Sequence, residues 1–111
     1  MIVRRFTDVS IEKIDTEGTV GVCKRVLVSA ADGAPNFIMR QFVIEPGGNT
    51  PYHTHNWEHE IYVLSGTGYI RHHHGIHDIT AGSVALVLPN EEHGFVNTGD
   101  EPLVFLCSIP N

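Results

Sequence analysis

The chain alternates short apolar segments with glycine and proline turns, and this pattern restricts it to all-β folds. No segment keeps a helical period over ten or more residues. Segments rich in β-branched residues, such as 20–29 and 36–45, are followed by turns such as 46–49. Turns recur at roughly 8–12-residue spacing, which is typical of a β-sandwich or β-barrel. We therefore predict a rolled sheet whose interior opens at a mouth where a ligand can bind.

Further strands are predicted between the remaining turns. They cover residues 60–65, 69–74, 76–80, 83–88, 93–97 and 103–109, after a terminal arm at 1–8 and a polar loop at 10–18. Residues 69–74 and 76–80 form a hairpin around Gly75. A length of 111 residues with 41% apolar content suits a single domain, 1–111, with one compact core.

The charge balance excludes several classes of partner. Seven Lys and Arg stand against 13 Asp and Glu, for a net charge of -6. Without a basic stripe, we expect neither nucleic-acid binding nor attraction to an anionic membrane. The apolar runs are too short to span a bilayer, and the first residues lack the apolar region of a signal peptide. We expect a cytoplasmic protein in which Cys23 and Cys107 are reduced thiols, although a disulfide between them stays open.

Histidine is the residue that points to chemistry, with eight in the chain. His53 and His55 share one face of a strand, because residues i and i+2 point the same way. His59 can rejoin that face after a bulge at residues 56–57, and His93 arrives from a distant hairpin. Four unrelated histidines are the alternative, but two spaced motifs in this order favour one metal site.

Four imidazoles suit Mn, Fe, Co, Ni, Cu or Zn, and as neutral ligands they leave a divalent ion its full charge. A six-coordinate ion would keep two positions for water, substrate or dioxygen. An anionic bidentate small molecule would fit both the charge and the two positions.

The two motifs resemble those of the cupins, a family of small β-barrels. The first motif, residues 47–66, has Gly47, His53, His55, His59 and Gly66 at the family spacing, with His59 where most cupins have glutamate. The second motif, residues 82–97, differs more. Its proline falls one residue late and its middle glycine is missing, while the separation between the first glycine and the histidine is kept. These positions are Gly82, Pro89, His93 and Asn97.

Residues 56–60 and 105–110 are similar to those of short, single-domain manganese cupins with an all-histidine site. The resemblance implies a jelly-roll barrel, also called a double-stranded β-helix. It implies one divalent ion, manganese first, at His53, His55, His59 and His93. It also implies a homodimer, which we expect to form through the N-terminal strands.

Other residues have two interpretations each. Arg40 lies in an apolar strand, where it either faces the cavity and binds an anionic substrate or lies exposed or at a dimer interface. Glu60 is a replacement ligand or a base, or it faces solvent, which we favour; Glu58 is a weaker candidate base. Trp57 either walls the pocket mouth or packs on the barrel.

Phe105, Cys107 and Ile109 share a face of the last strand. The resemblance favours a pocket wall over ordinary core packing, with Cys107 as an oxidisable neighbour of the ion, whereas Cys23 is expected to be structural. A second group of histidines surrounds Gly75 and is expected to form an exposed hairpin tip that binds metal only adventitiously. These residues are His72, His73, His74 and His77.

These features favour a metal-dependent oxidoreductase of dioxygenase type that acts on a small, anionic molecule. Two alternatives stay open. One is non-redox chemistry, such as a lyase or isomerase reaction, which needs a base such as Glu60 or Glu58. The other is a small-molecule-binding module without turnover.

Overall fold

The chain folds into a curled β-barrel in the computed structural model, which describes residues 1–111. Nine strands form one sheet: β1 Glu12–Lys13, β2 Val20–Val28, β3 Phe37–Asn49, β4 His59–Ser65, β5 Thr67–His72, β6 Gly75–Thr80, β7 Val84–Val87, β8 Gly94–Asn97 and β9 Leu103–Pro110. The only helical segments are short 3-10 turns at Phe6–Asp8 and Ala30–Asp32. None of them has the length and apolar character needed to span a membrane.

The strands follow the order β6-β5-β8-β3-β9-β4-β7, and β2 joins the other side of β3 and carries β1. Every pairing is antiparallel. The long strand β3 organises the barrel, since it pairs with β2, β8 and β9. The all-β barrel that the sequence predicts is confirmed.

Several details differ from the sequence prediction. The β5–β6 hairpin turns at residues 73–74 rather than around Gly75, because Gly75 begins β6 and pairs with His72. Residues 46–49 do not end a strand, because β3 continues through a positive-φ glycine at Gly47 to Asn49. Asn49 there pairs with Val20 of β2 and Val96 of β8. The polar loop at 10–18 contains the two-residue strand β1, which the sequence did not predict because it is short and exposed.

The core lies between the inner faces of the sheet. Strand β4 shows the underlying alternation, with His59, Ile61 and Val63 buried while Glu60 and Tyr62 are exposed. The same period operates in β9. The most deeply buried side chains are Phe105, Ile44, Leu103, Val22, Val63 and Cys107.

Gly66, which closes the first histidine motif, has a structural reason to be glycine. Its φ is +89°, a left-handed conformation that L side chains rarely adopt. A Cβ there would also lie 2.5 Å from the carbonyl oxygen of Pro102. The chain therefore passes between β4 and β5 in contact with the turn before β9.

Candidate metal centre

The two histidine motifs meet through a backbone bridge. The amide of His53 donates to the carbonyl of His93 (3.1 Å), and the amide of His93 donates to the carbonyl of His53 (3.0 Å). The amide of Asn90 also donates to the carbonyl of His55 (2.7 Å). These bonds hold two segments that are distant in the sequence in register, so that side chains from both motifs enter one space.

Three of the four predicted ligands form a group that could hold a metal ion. One ring nitrogen from each of His53, His55 and His93 lies within 4.8 Å of the other two. The ring of His93 lies 5.0 Å from that of His59, and His59 Nε2 is 2.9 Å from His55 Nε2. All four rings therefore converge, with His59 on the side of His55.

The hydrogen bonds and protonation of these rings leave ring nitrogens available to bind a metal cation. His93 Nδ1 donates to the carbonyl oxygen of Glu91 (2.8 Å), which leaves its Nε2 as the ligand atom. Burial lowers the pKa of both His53 and His55, and neighbouring histidines add to the shift. The rings of His53 and His55 are thus neutral at neutral pH, as metal binding through their nitrogens requires.

His59 is held by a thiol and a guanidinium. Its Nδ1 lies 3.0 Å from Sγ of Cys107, which also accepts a hydrogen bond from Arg40 Nη2 (2.9 Å). A His59 ring that binds metal through Nε2 carries its proton on Nδ1, and this N–H then donates a hydrogen bond to Cys107 Sγ. The register explains the contact, because Arg40 on β3 pairs with Cys107 on β9.

The cluster lies on the wall of a cavity of about 550 Å³. All four histidines line it, together with Arg40, Phe105 and Cys107. Trp57 does not line it. The Trp57 ring stacks on His55 instead, at 4.3 Å and an interplanar angle of 2°. Ile109 lies outside the cavity too, packed against the core at the end of β9.

Glu60 and Glu58 lie away from the cavity. Glu60 follows His59 in β4, so the alternation of the strand turns it to the exposed outer face. Glu58 is exposed in the preceding loop. Neither carboxylate lines the cavity, which agrees with the solvent-facing interpretation of Glu60.

Several cavity residues were not predicted as site residues. Lys24 and Phe42 line the wall from adjacent strands, and Glu17 lines it from the loop before β2. The alternation of side chains along β2 could have indicated Lys24, because Lys24 shares the inner face of this strand with the buried Val22. The position of Glu17 depends on loop packing and left no such signal.

The second histidine group lies at the tip of the β5–β6 hairpin. His72 pairs with Gly75 across the turn, and the rings of His72 and His77 stack at 4.6 Å. His73, His74 and His77 are exposed. No three residues of this group bring ligand atoms together as His53, His55 and His93 do.

Replacing Cys107 with alanine should weaken metal binding by about 10–100-fold, because His59 loses the acceptor for its Nδ1 proton. Cys107→Ser, which keeps an acceptor, should lose less. The dissociation constant can be measured by competition with a chelator, followed by the fluorescence of Trp57, the only tryptophan. Cys23→Ala is the matched control and should not change the affinity. Equal constants for Cys107→Ala and wild type would contradict the role of this thiol.

Acid should destabilise the metal-free protein through His59. Burial, with smaller effects from His55 and Arg40, lowers its pKa from 6.5 to about 3. Between these values the unfolded chain binds a proton that the folded protein does not, so stability falls as the pH drops from 6.5 towards 3. The slope contributed by one such proton is at most about 1.4 kcal/mol per pH unit.

Urea unfolding of the metal-free protein between pH 4 and pH 7 measures this slope, with His59→Gln as the comparison. The variant should lose stability less steeply than wild type as the pH falls. Parallel pH profiles for the two proteins would show that His59 is not the group responsible.

Comparison with known proteins agrees with the fold. The cupin domain family matches residues 40–109. The polyketide cyclase RemF from Streptomyces resistomycificus is 33% identical over 99% of this chain and 79% of its own, with a TM-score of 0.89. A predicted oxalate decarboxylase from Thermotoga maritima is 30% identical over 98% of both chains, with a TM-score of 0.86.

A cupin-2 domain protein from Rhodospirillum rubrum shares the fold at 22% identity, over 98% of this chain and 74% of its own, with a TM-score of 0.84. No curated protein matches the sequence significantly. The family match covers both histidine motifs and more than half of the chain, so this protein belongs to the cupin family.

Proposed function

We propose that this cupin is a metal-dependent enzyme that acts on a small anionic molecule. Its centre would consist of His53, His55 and His93, with His59 as the fourth ligand. The donor set is imidazole only, which suits a divalent first-row metal, and the resemblance to short manganese cupins favours manganese. When bound, such an ion supplies Lewis acidity to an oxygen atom of the substrate and, for a redox-active metal, electrons.

Arg40 is the observation that carries the substrate proposal. It lines the cavity beside the histidines, yet it forms no salt bridge with any carboxylate of the chain. Its Nη2 binds Cys107, while its buried Nε has no hydrogen-bond partner. A buried donor without a partner is costly, and an anionic group of the substrate would satisfy it and form a charge-assisted bond.

The apolar wall would keep water from the reacting atoms. Phe95 and Phe105 are almost fully buried behind the histidines, and both line the cavity. In such surroundings the bond between Arg40 and an anion is stronger than in water. Arg40 would thus orient the substrate with its acidic group towards the centre.

We propose a dioxygenase-type reaction as the leading chemistry. Glu58 and Glu60 point away from the centre, and Glu17 is the only carboxylate on the cavity wall. A reaction that depends on proton abstraction needs a base close to the substrate. Oxidation at a metal with open positions depends less on a base from the protein. It therefore fits a cavity with a single carboxylate better than a reaction that begins with proton abstraction.

Non-redox chemistry is the second candidate, and the comparisons favour it. Two of the similar structures, at 33% and 30% identity, are a polyketide cyclase and a predicted oxalate decarboxylase. In this alternative Glu17 would act as the base from the cavity wall.

An oxygen-uptake experiment separates the two. The manganese-loaded protein would be screened against aromatic and aliphatic carboxylates, with product formation measured in air and under argon. A dioxygenase-type reaction consumes oxygen with the product and stops under argon, whereas a non-redox reaction continues unchanged. Arg40→Gln should raise KM for the active carboxylate. Absence of product in both atmospheres would favour a binding module and contradict the enzyme proposal.

We also propose a homodimer. The segment before β1 exposes Phe6 in the terminal arm and Ile11 after it, and the outer face of the sheet exposes Tyr62 and Leu86. Exposed apolar groups of this kind are typical of interaction sites. Light scattering should give twice the chain mass. Phe6→Glu would yield a monomer if the arm forms the interface, as the sequence suggested, and Leu86→Glu would do so if the outer face forms it. A monomeric wild type would contradict the proposal.

A further inference from the structure

The cavity wall carries a second cation in addition to Arg40. Lys24 of β2 lines the same cavity as Arg40 and the four histidines. Across the β2–β3 pair, Lys24 lies opposite Phe42 and Val26 lies opposite Arg40. Directly opposite residues of antiparallel strands share a face, so Lys24 and Arg40 are diagonal neighbours on the inner face.

No carboxylate of the chain forms a salt bridge with either cation, although Glu12 of β1 lies opposite Lys24. The two salt bridges of the protein join Arg4 with Asp32 and Lys13 with Asp15. Lys24 is half-buried, so part of its surroundings is protein rather than water. A partly buried charge without a counter-charge costs free energy. The protein has a net charge of -6, yet two cations without a salt bridge lie on one wall of its cavity. Anionic groups of a ligand would supply the missing counter-charges.

Part of the remaining wall is aromatic. The ring of Phe105 stacks on Phe42 at 5.3 Å and on Phe95 at 4.5 Å, and all three line the cavity. The guanidinium of Arg40 lies 5.0 Å from the ring centre of Phe42. A volume of about 550 Å³ is within the range that holds drug-sized molecules. The aromatic surface therefore runs from beneath Arg40 towards the interior of the cavity.

We propose that the ligand of this cavity is a flat, apolar molecule with two acidic groups. One group binds Arg40 beside the histidine centre, and the second binds Lys24, while the body of the molecule lies along the phenylalanines. This inference rests on the proposed function and names the substrate class of the same site.

The charge of Glu17 allows a further test of the proposal. Its side chain lines the same cavity, so its negative charge opposes a dianionic ligand. Glu17→Gln should therefore tighten the binding of a dianion more than that of a monoanion. The opposite order would contradict a site in which both acidic groups of the ligand lie in the cavity that Glu17 lines.

Calorimetry with two benzene carboxylates tests the proposal on the manganese-loaded protein. Isophthalate carries two carboxylates on one ring, and benzoate is the matched probe with one. Isophthalate should bind wild type about tenfold more tightly, since it adds one charge-assisted hydrogen bond. Lys24→Gln should remove that advantage and leave benzoate binding unchanged. Lys13→Gln, an exposed lysine paired with Asp15, should change neither.

Equal affinity of wild type for the two probes, or no binding of either, would overturn the proposal. So would a Lys24→Gln variant that weakens both probes equally. Metal content, measured on the same samples, separates this inference from the proposed function. Selective isophthalate binding by a metal-loaded protein without turnover of any carboxylate would support the ligand class while contradicting an enzyme.

Discussion

Alanine at His53, His55 and His93 should reduce the metal content of the purified, untagged protein from about one ion per chain to none. These three residues offer the ring nitrogens that already lie within 4.8 Å of one another. With only His59 left, the remaining ligand cannot hold an ion against buffer and water. Elemental analysis after dialysis measures the change, and circular dichroism checks that the variant is folded.

The matched control replaces the histidines at the hairpin tip. Alanine at His72, His73, His74 and His77 removes four imidazoles from an exposed turn and leaves the cavity untouched. This variant should retain the metal of wild type. If it loses the ion while the first variant keeps it, the hairpin is the binding site and the proposed centre is contradicted.

Phe105→Ala should lower the free energy of unfolding by about 3–5 kcal/mol, the usual cost of removing a buried phenylalanine ring. Phe105 is 1% exposed, and it stacks on both Phe42 and Phe95 between the core and the cavity. A loss of this size is a large share of the stability of a small domain, which is about 5–15 kcal/mol.

Phe37→Ala is the control, because Phe37 lies in β3 but is 71% exposed. It should change the free energy of unfolding by less than about 0.5 kcal/mol. Urea denaturation of the metal-free variants at neutral pH gives both values. Similar losses for the two variants would show that the aromatic stack is not part of the cooperative core.

Much of the candidate site could be predicted from the spacing of the histidines in the sequence. Alternation along a strand is local, so the sequence could place His53 and His55 on one face and turn Glu60 away from His59. It could also place Phe105 and Cys107 together on the inner face of the last strand. The same local rule could not separate Ile109 from them, because Ile109 shares their face but lies beyond the cavity near the end of β9.

Trp57 shows the limit of local reasoning in a loop. No period constrains residues 56–58, and the ring could as well have walled the cavity or packed on the barrel. In the structure it stacks on His55 outside the cavity. That contact makes it a spectroscopic reporter of the centre, a use that its position in the sequence did not suggest.

The sequence by itself determined the all-β barrel, the cupin motifs and the histidines that face inward, because each depends on periodicity or spacing within a short segment. Tertiary structure decided the rest. The bridge between His53 and His93, the contact of Arg40 with Cys107, and the position of Lys24 beside Arg40 all depend on register between strands far apart in the chain. Such register follows from the packing of the whole barrel, since a shift of one residue would turn every inner side chain outward.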